Sequence, residues 1–467
     1  MGKDQWVVCK LGDVMRIRNG YAFKSKDFKK TGDIAVIKQT QLNGETIDFS
    51  NCDFVDKTFL ISKKDFVLKK GDILLGMSGS LGKFCIYDKN VPALQNQRTG
   101  KVEPISLKHL EEKFAWYFLN TIKNQLKEKG KGLGVGNVSA DDIEDLHFSL
   151  PPLNEQKRIV KKLDVILPKV RNARERLEKI PGLIKKFRQS ILTAACSGKL
   201  TEDCREEKDF SDNNDKNTFD SFILPDLPES WQWVSITDLT LKEKHSLKAG
   251  PFGSSLKKEF YVKKGYKVYG QEQVINNDPF YGDYYIDDQK YKELESCRIK
   301  PHDVLISLVG TVGKVMILPN NCQSGIINPR LVKITFDLSI YNPEFFNLYF
   351  SSPILKSIYS DLLHGSTMDV LNLGIIKSLP YPLPPIGEQH KIVQRVEKMF
   401  VLADSLESKY KIAMERIEKI EQAVLAKAFR GELVEPDPND EPAEELLKRI
   451  LEEKTKLESN KKTKLKR

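Results

Sequence analysis

At 467 residues the chain exceeds what one hydrophobic core organises, so two or more domains are expected. Charged residues make up 30% of it, its mean hydropathy is negative, and no apolar run approaches the ~20 residues of a membrane helix, so a soluble chain with no membrane partner is expected. The net charge of +10 favours a polyanionic partner.

From Met1 to Lys10 there is no apolar core of signal-peptide type, which predicts a cytoplasmic location in a bacterial or archaeal cell. The seven cysteines are odd in number, scattered and without a CxxC pair, which argues against a disulfide framework or a zinc site. Trp6-Val7 opens a strand, and Ile73 to Leu75 and Phe84 to Tyr87 read as further strands separated by glycines. Between the last two, Gly79-x-x-Gly82-Lys83 resembles the end of a P-loop, but Met77 stands at the first glycine position and Phe84 replaces its Ser/Thr. Leu107 to Lys127 carries apolar residues at helical spacing, and Lys131 to Gly136 reads as a glycine-rich loop.

At Leu150-Pro151-Pro152-Leu153-Asn154-Glu155-Gln156 the prolines end a strand and a long charged helix begins. Its apolar positions alternate steps of four and three: Ile159, Leu163, Ile166, Val170, Ala173, Leu177, Ile180, Ile184, Phe187, Ile191 and Ala194. A lone solvated helix has no need of such a seam, so a coiled-coil partner is predicted. Pro168 and Pro181-Gly182 should kink or break this helix. Thr201 to Ser221 follows as an acidic linker, with eight acidic residues against three basic ones.

The rest of the chain repeats the first part. Trp233-Val234 answers Trp6-Val7, and His302-Asp303-Val304-Leu305 through Gly310, Gly313 and Lys314 answers the Gly71-Asp72-Ile73-Leu74 segment at an offset of 231. Leu383-Pro384-Pro385-Ile386-Gly387-Glu388-Gln389 repeats the proline motif at an offset of 233, and the seam returns at the same offset as Ile392, Val396, Met399, Ala403, Leu406, Tyr410, Ala413, Ile417, Ile420 and Val424. The order globule, helix, globule, helix requires the helices to run antiparallel, with one globule at each end of a rod of roughly 50 Å. The expected fold class is therefore α+β: two pseudo-twofold-related domains separated by an antiparallel two-helix coiled coil. The expected boundaries are 1–152 and 223–385 for the globules, 153–200 and 386–433 for the helices, 201–222 for the acidic linker, and 434–467 for a terminal helix and basic tail. That terminal helix is expected to be capped by Asp440 and to fold onto a partner or onto the rod.

These motifs in this order resemble the specificity subunits of type I restriction-modification systems over essentially the whole chain. The resemblance rests on the Gly-Asp-Ile-Leu-Leu element, the duplicated Leu-Pro-Pro helix start, Ile180-Pro181 leading to Phe187-Arg188-Gln189-Ser190-Ile191-Leu192, and Ser197-Gly198-Lys199-Leu200-Thr201. Ala428-Phe429-Arg430-Gly431-Glu432-Leu433 and Asp437-Pro438-Asn439-Asp440-Glu441-Pro442 extend it. It implies two target-recognition domains that each read half of a bipartite asymmetric double-stranded DNA site. It implies assembly with two methyltransferase subunits, and with restriction and translocase subunits in the full complex. S-adenosylmethionine, ATP and magnesium would then be bound only by those partners, with no cofactor in this chain.

No catalytic or metal site is expected. The six histidines fall singly, and Asn277-Asp278-Pro279-Phe280, which superficially matches an amino-methyltransferase element, has one proline and reads as a turn. Candidate DNA contacts follow from chemistry: Lys24, Lys26, Lys83, Gln95, Asn96 and Arg98 in the first globule, and Lys257, Lys258, Gln271, Gln273, Lys314, Asn328 and Arg330 in the second. Arg and Lys suit guanine edges or phosphates; Asn and Gln suit adenine. The repeat makes Lys83 equivalent to Lys314 and Arg98 to Arg330, which favours phosphate contact or architecture for those pairs. A protein-binding coiled-coil scaffold is the alternative, but it leaves the two divergent globules and the basic excess unexplained.

Overall fold

The computed structural model describes residues 5–44, 46–78, 82–123, 126, 138–205, 219, 222–309, 313–363 and 371–465. The Lys131 to Gly136 loop, Gly79, Gly310 and most of the acidic linker lie outside these residues. The chain forms two compact units, one of Met1–Leu177 with Ile412–Arg467, the other of Glu178–Lys411.

The first unit is built on an antiparallel four-stranded sheet in the spatial order Met15–Asn19, Thr99–Pro104, Ile73–Gly76, Phe84–Ile86. A second four-stranded sheet, in the order Asp53–Val55, Ile34–Ile37, Ala93–Gln95, Val67–Leu68, contains one parallel pairing, Val36 with Leu94 and Ile37 with Gln95. The second unit repeats the plan. Leu247–Ala249, Leu331–Ile334, Val304–Ser307 and Val315–Ile317 form the antiparallel sheet, and Tyr266–Tyr269 runs parallel to Gly325–Ile327 in the other. The α+β architecture is therefore present twice.

Ile73–Gly76 and Val304–Ser307 are buried at every position, as their continuous apolar runs require. The aspartate before each run is a turn device. Asp72 accepts from the Lys69 N–H at 2.8 Å and from the Lys101 ammonium at 3.1 Å; Asp303 accepts from the Lys300 N–H at 2.7 Å and lies 3.8 Å from Lys333. Asp303 and Lys333 are both buried, and desolvation pushes the carboxyl pKa up and the ammonium pKa down.

A two-stranded ribbon joins the ends of each globule, Val7 facing Leu150 in one and Gln232 facing Leu383 in the other. Since Leu150 and Leu383 are repeat equivalents, this register corrects the tryptophan correspondence: Trp6 matches Trp231, not Trp233. Both helix-turn caps agree, with Asp13 accepting from the Lys10 N–H at 3.0 Å and Asp238 from the Ser235 N–H at 3.1 Å. The ribbon leads into the Leu-Pro-Pro motif, whose glutamine is the joint. Gln156 accepts from the Glu111 N–H at 2.8 Å and donates to the Pro151 carbonyl at 2.9 Å; Gln389 accepts from the Asn342 N–H at 2.7 Å and donates to the Pro384 carbonyl at 2.8 Å. Each thus ties the start of a long helix to a helix of its own globule.

The preceding glutamate is buried in both copies. Glu388 accepts from the Trp231 indole at 3.0 Å, from Arg205 at 2.7 Å and from the Thr201 hydroxyl at 2.5 Å. Thr201 to Arg205 are therefore packed structure, and the expected linker begins after them. Burial raises the Glu155 carboxyl pKa, while the hydrogen bond from Trp6 and the charge of Arg158 oppose the rise.

Helix Leu153–Glu178 passes through Pro168 without a break, and the chain leaves the helix at Lys179, before Ile180–Cys196. Pro181 sits in the first turn of that next helix, where a missing N–H costs no intrahelical bond. Helix Ile386–Phe429 runs 44 residues without interruption. In the first unit Lys162 donates to the Leu433 carbonyl at 2.8 Å and Arg174 meets Glu421 at 2.6 Å. In the second, Arg395 donates to the Leu200 carbonyl at 2.7 Å, and Arg188 pairs with Asp404. In each unit the partner's number falls as the first rises, so the helix segments are antiparallel. Lys162 with Leu433 and Arg395 with Leu200 are the same contact with the two copies exchanged, at the repeat offset of 233.

Along the seam Ile159, Leu163, Ile184, Ile191, Ile392 and Val396 are buried, and Ile166, Val170, Leu177, Met399, Tyr410, Ile417 and Val424 are half-buried. Leu406 at 42%, Ile420 at 48% and Phe187 at 37% exposure, with exposed Ala173, fall outside the buried seam. A pair of helices covers only one side of each side chain, and these positions have no third element over them.

The terminal helix Ala443–Leu465 shares a core with Ile159 and Leu163 of the first long helix and corrects the cap expected of Asp440. It packs on strand Val7–Lys10 and on the short helix Leu11–Val14 of the first unit, burying Ala443, Leu446 and Ile450. Lys454 reaches the Gly12 carbonyl at 2.8 Å, and the Ala443 N–H donates to the Gln5 carbonyl at 3.1 Å. Asp440 is not its cap; it pairs with Arg158. Side chains from Asn460 onward lie outside the description.

Candidate nucleic-acid interface

In each unit the two parallel strands end side by side, and both chains leave the sheet at that edge. In the first, the Asn96 N–H donates to the Ile37 carbonyl at 3.0 Å, Tyr21 N–H to the Gln95 carbonyl at 3.0 Å, and Met77 N–H to the Arg98 carbonyl at 3.3 Å. In the second, Asn328 N–H donates to the Tyr269 carbonyl at 2.8 Å, Gly250 N–H to the Leu331 carbonyl at 2.9 Å, and Leu308 N–H to the Arg330 carbonyl at 3.0 Å. Four segments thus meet on one rim, and the rim is made the same way twice. Glycine is needed where the first segment crosses the last. A Cβ on Gly20 would stand 2.2 Å from the Asn96 carbonyl oxygen, and one on Gly250 1.8 Å from that of Asn328.

The hairpin next to the rim accounts for the Gly-Lys ends of the resembled P-loop. Gly82 and Gly313 have φ of 72° and 77°, a left-handed turn, and the Lys83 and Lys314 carbonyls accept from the Gly76 and Ser307 N–H groups. Lys314 is exposed and Lys83 half-buried. Arg98 and Arg330 are exposed, and Asn96, Asn328 and Gln271 are half-buried at the same rim. Lys24 and Lys26 stand exposed on the loop that leaves Tyr21, and Lys257 and Lys258 on the loop that leaves Gly250, with Lys257 3.6 Å from Glu259.

Two candidates are corrected. Gln95 is fully buried and donates to the Arg18 and Thr99 carbonyls at 2.9 and 2.7 Å. Gln273 is buried, accepting from the Gly270 N–H at 2.8 Å and donating to the Tyr281 carbonyl at 2.6 Å. The Gln95 amide nitrogen and both ends of the Gln273 amide are spent on backbone groups inside the fold, and neither side chain reaches solvent.

The sequence reading overlooked Gln39 and Ser78, whose side chains hydrogen-bond at 2.5 Å on the first rim. A signal was present, because Gln39-Thr40-Gln41 recurs as Gln271-Glu272-Gln273 at an offset of 232. Gln41, like Gln273, is the buried member, accepting from the Lys38 N–H at 2.9 Å. The Asn277 segment is a turn: Asn277 is left-handed at φ 51° and ends helix Gln271–Asn276. Among the described residues no group of three His, Cys, Asp or Glu could hold a metal ion, every cysteine is free, and no helix is long and apolar enough to cross a membrane.

Duplicated α+β units thus carry amide and guanidinium groups on duplicated rims. Comparison with known proteins gives its family. The model of the type I restriction modification DNA specificity domain matches twice, at residues 3–181 and 228–416. The specificity subunit of the type I restriction enzyme EcoBI of Escherichia coli is 29% identical over 434 residues, 92% of this chain and 86% of that one. Among solved structures, a chain from a study of complex assembly and conformational transition of the type I R-M system aligns with a TM-score of 0.64 at 18% identity, covering 93% of this chain and all of that one. The HsdS subunit from Thermoanaerobacter tengcongensis gives 0.52, also at 18% identity, over 92% and 98% of the two chains. This chain belongs to the type I restriction-modification DNA specificity family. It is a specificity subunit of a type I restriction-modification system, the non-catalytic component that recognises DNA sequence.

Proposed function

We propose that each rim reads one half of a bipartite, asymmetric double-stranded DNA site and that the paired helices set the spacing between the halves. The observation that carries this reading is one backbone scaffold decorated differently in its two copies. Ser78 and Gln97 stand where the second rim has Val309 and Pro329, so identical framing presents different chemistry to two half-sites. Gly82-Lys83 and Gly313-Lys314 are the shared element, and Lys83 and Lys314 serve phosphate contact. Lys24, Lys26, Lys257 and Lys258 add to the same electrostatic footprint.

Two methyltransferase subunits dock on the long helices, and restriction subunits join in the full complex. Exposed apolar side chains there support this docking: Val165 at 53%, Leu183 at 61% and Val401 at 67% exposure are costly to leave in water on otherwise charged helices. S-adenosylmethionine, ATP and magnesium are bound by those partners, and the assembly works on DNA in the cytoplasm.

Mapping methylated adenines in DNA from cells carrying this chain and its methyltransferase partner tests the proposal. The expected result is two short conserved blocks at a fixed gap. Inserting one heptad in both helices should lengthen the gap and leave both blocks unchanged. Equal binding to all duplexes across a salt series would overturn sequence reading in favour of a scaffold.

A further inference from the structure

The two rims differ in how they treat their equivalent arginines. Gln271 begins the helix that follows strand Tyr266–Tyr269, and its amide nitrogen donates to the Ser307 hydroxyl at 3.0 Å and to the Val309 carbonyl. A carbonyl can only accept, so this pairing fixes which way the amide points. Its oxygen is turned to Arg330, whose guanidinium Nη1 donates to it at 3.3 Å. The arginine backbone is held as well. Its N–H donates to the Asn328 side-chain oxygen at 2.9 Å, and its carbonyl accepts from the Leu308 N–H at 3.0 Å. One guanidinium N–H is used and the rest of the fork faces solvent from an exposed side chain.

On the first rim the matching glutamine is engaged elsewhere. Gln39 accepts through its oxygen from the Ser78 hydroxyl at 2.5 Å, and Arg98 makes no side-chain hydrogen bond among the described residues. Two exchanges account for this, Ser78 for Val309 and Gly76 for Ser307, whose hydroxyl also holds the Gln271 amide nitrogen. A valine has no hydroxyl to occupy the glutamine oxygen, and its backbone carbonyl draws the amide nitrogen instead.

We propose that Gln271 is a positioning residue that holds Arg330 to read a guanine edge in the second half-site, while Arg98 has no such guide among the described residues. The inference rests on the DNA-reading role proposed above. A guanidinium held at one nitrogen has fewer orientations to lose on binding, and its free edge matches the O6 and N7 acceptors of guanine, whereas a phosphate contact tolerates a mobile arginine. The second half-site should therefore contain one G·C pair whose discrimination depends on both residues.

The test uses the full chain with its methyltransferase partner, bound to duplex libraries randomised in both half-sites. Arg330→Ala should reduce discrimination at a single G·C position of the second half-site roughly 5- to 150-fold and leave the first half-site unchanged. Arg330→Lys should not restore it, because lysine lacks the fork. Gln271→Ala should reduce discrimination at the same position by a smaller factor, and the double variant should lose no more than Arg330→Ala alone. Uniform weakening of all sequences by Arg330→Ala, with a salt slope lower by about 1, would make Arg330 a phosphate contact and overturn the proposal. Full preference in Gln271→Ala would overturn the positioning role. Arg330 is exposed, so its variants keep the test decisive even if Gln271→Ala does not fold. A parent complex with no preference in either half would instead defeat the DNA-reading role itself.

Discussion

Arg158 holds Asp440 through both terminal guanidinium nitrogens, at 3.3 and 2.6 Å, across 282 residues of chain. The Asp440 side chain is 4% exposed, so this pair is one of the contacts, with Lys162 to the Leu433 carbonyl, that hold the C-terminal segment against the first long helix. Asp440→Asn should lower the stability of the first unit by about 1–2 kcal/mol, the partial exposure of Arg158 screening the rest. Urea unfolding, with limited proteolysis between 434 and 442, measures it. Unchanged midpoint and protease resistance would show the pair to be incidental.

Glu388 joins Trp231, Thr201 and Arg205 in a site with little access to water. Replacing it with alanine leaves a guanidinium and an indole N–H without their acceptor, which should cost about 3 kcal/mol. Glu388→Gln should cost less, because its oxygen still accepts from Trp231. Equilibrium unfolding followed by tryptophan emission separates the two variants, and equal losses would remove charge from the explanation.

Asp203 lies against Arg395, and that hydrogen bond draws its carboxyl pKa down from 3.8 to about 2. A depressed carboxyl favours the folded state above its unfolded pKa and loses that effect as pH falls through the folded value. The contribution should therefore be intact at pH 5 and disappear between about pH 4 and about pH 2. Thermal melts of Asp203→Asn should show a shallower dependence on pH in that window alone, and high salt should narrow the difference. Parallel curves at low salt would refute it.

Gln95 and Gln273 have the chemistry of adenine readers but sit inside the fold. Gln95→Ala and Gln273→Ala should each destabilise the chain by about 1–3 kcal/mol, through the loss of buried side-chain-to-backbone hydrogen bonds. Base preference in the folded fraction should stay as it was. A changed preference at one position with unchanged stability would return these residues to the reading surface.

Local signals predicted the elements well where one side chain's chemistry dominates. The apolar run that begins at Val304 forms the buried strand Val304–Ser307, and the Leu-Pro-Pro motif starts a helix in both copies. Pro168 does not break its helix, because a proline's cost to a helix can be met by packing, and Ile159 and Leu163 anchor the preceding turns in the first core. The tryptophan correspondence was misread because Trp-Val is a two-residue match, whereas strand register depends on long-range pairing across the ribbon.

Periodicity and duplication, both written along the chain, determined that this protein has two α+β halves, each followed by a heptad-patterned helix, while the duplicated motifs carried the family resemblance that implied DNA reading. Tertiary structure alone decided which glutamine of each Gln-x-Gln pair is consumed in the scaffold, that Gln271 faces Arg330 while Gln39 faces Ser78, and that Ala443–Leu465 covers the first unit. Amides and guanidinium groups have the same composition whether buried or exposed. Their role is set by which backbone groups lie within about 3 Å of them, and only the folded chain brings those groups together.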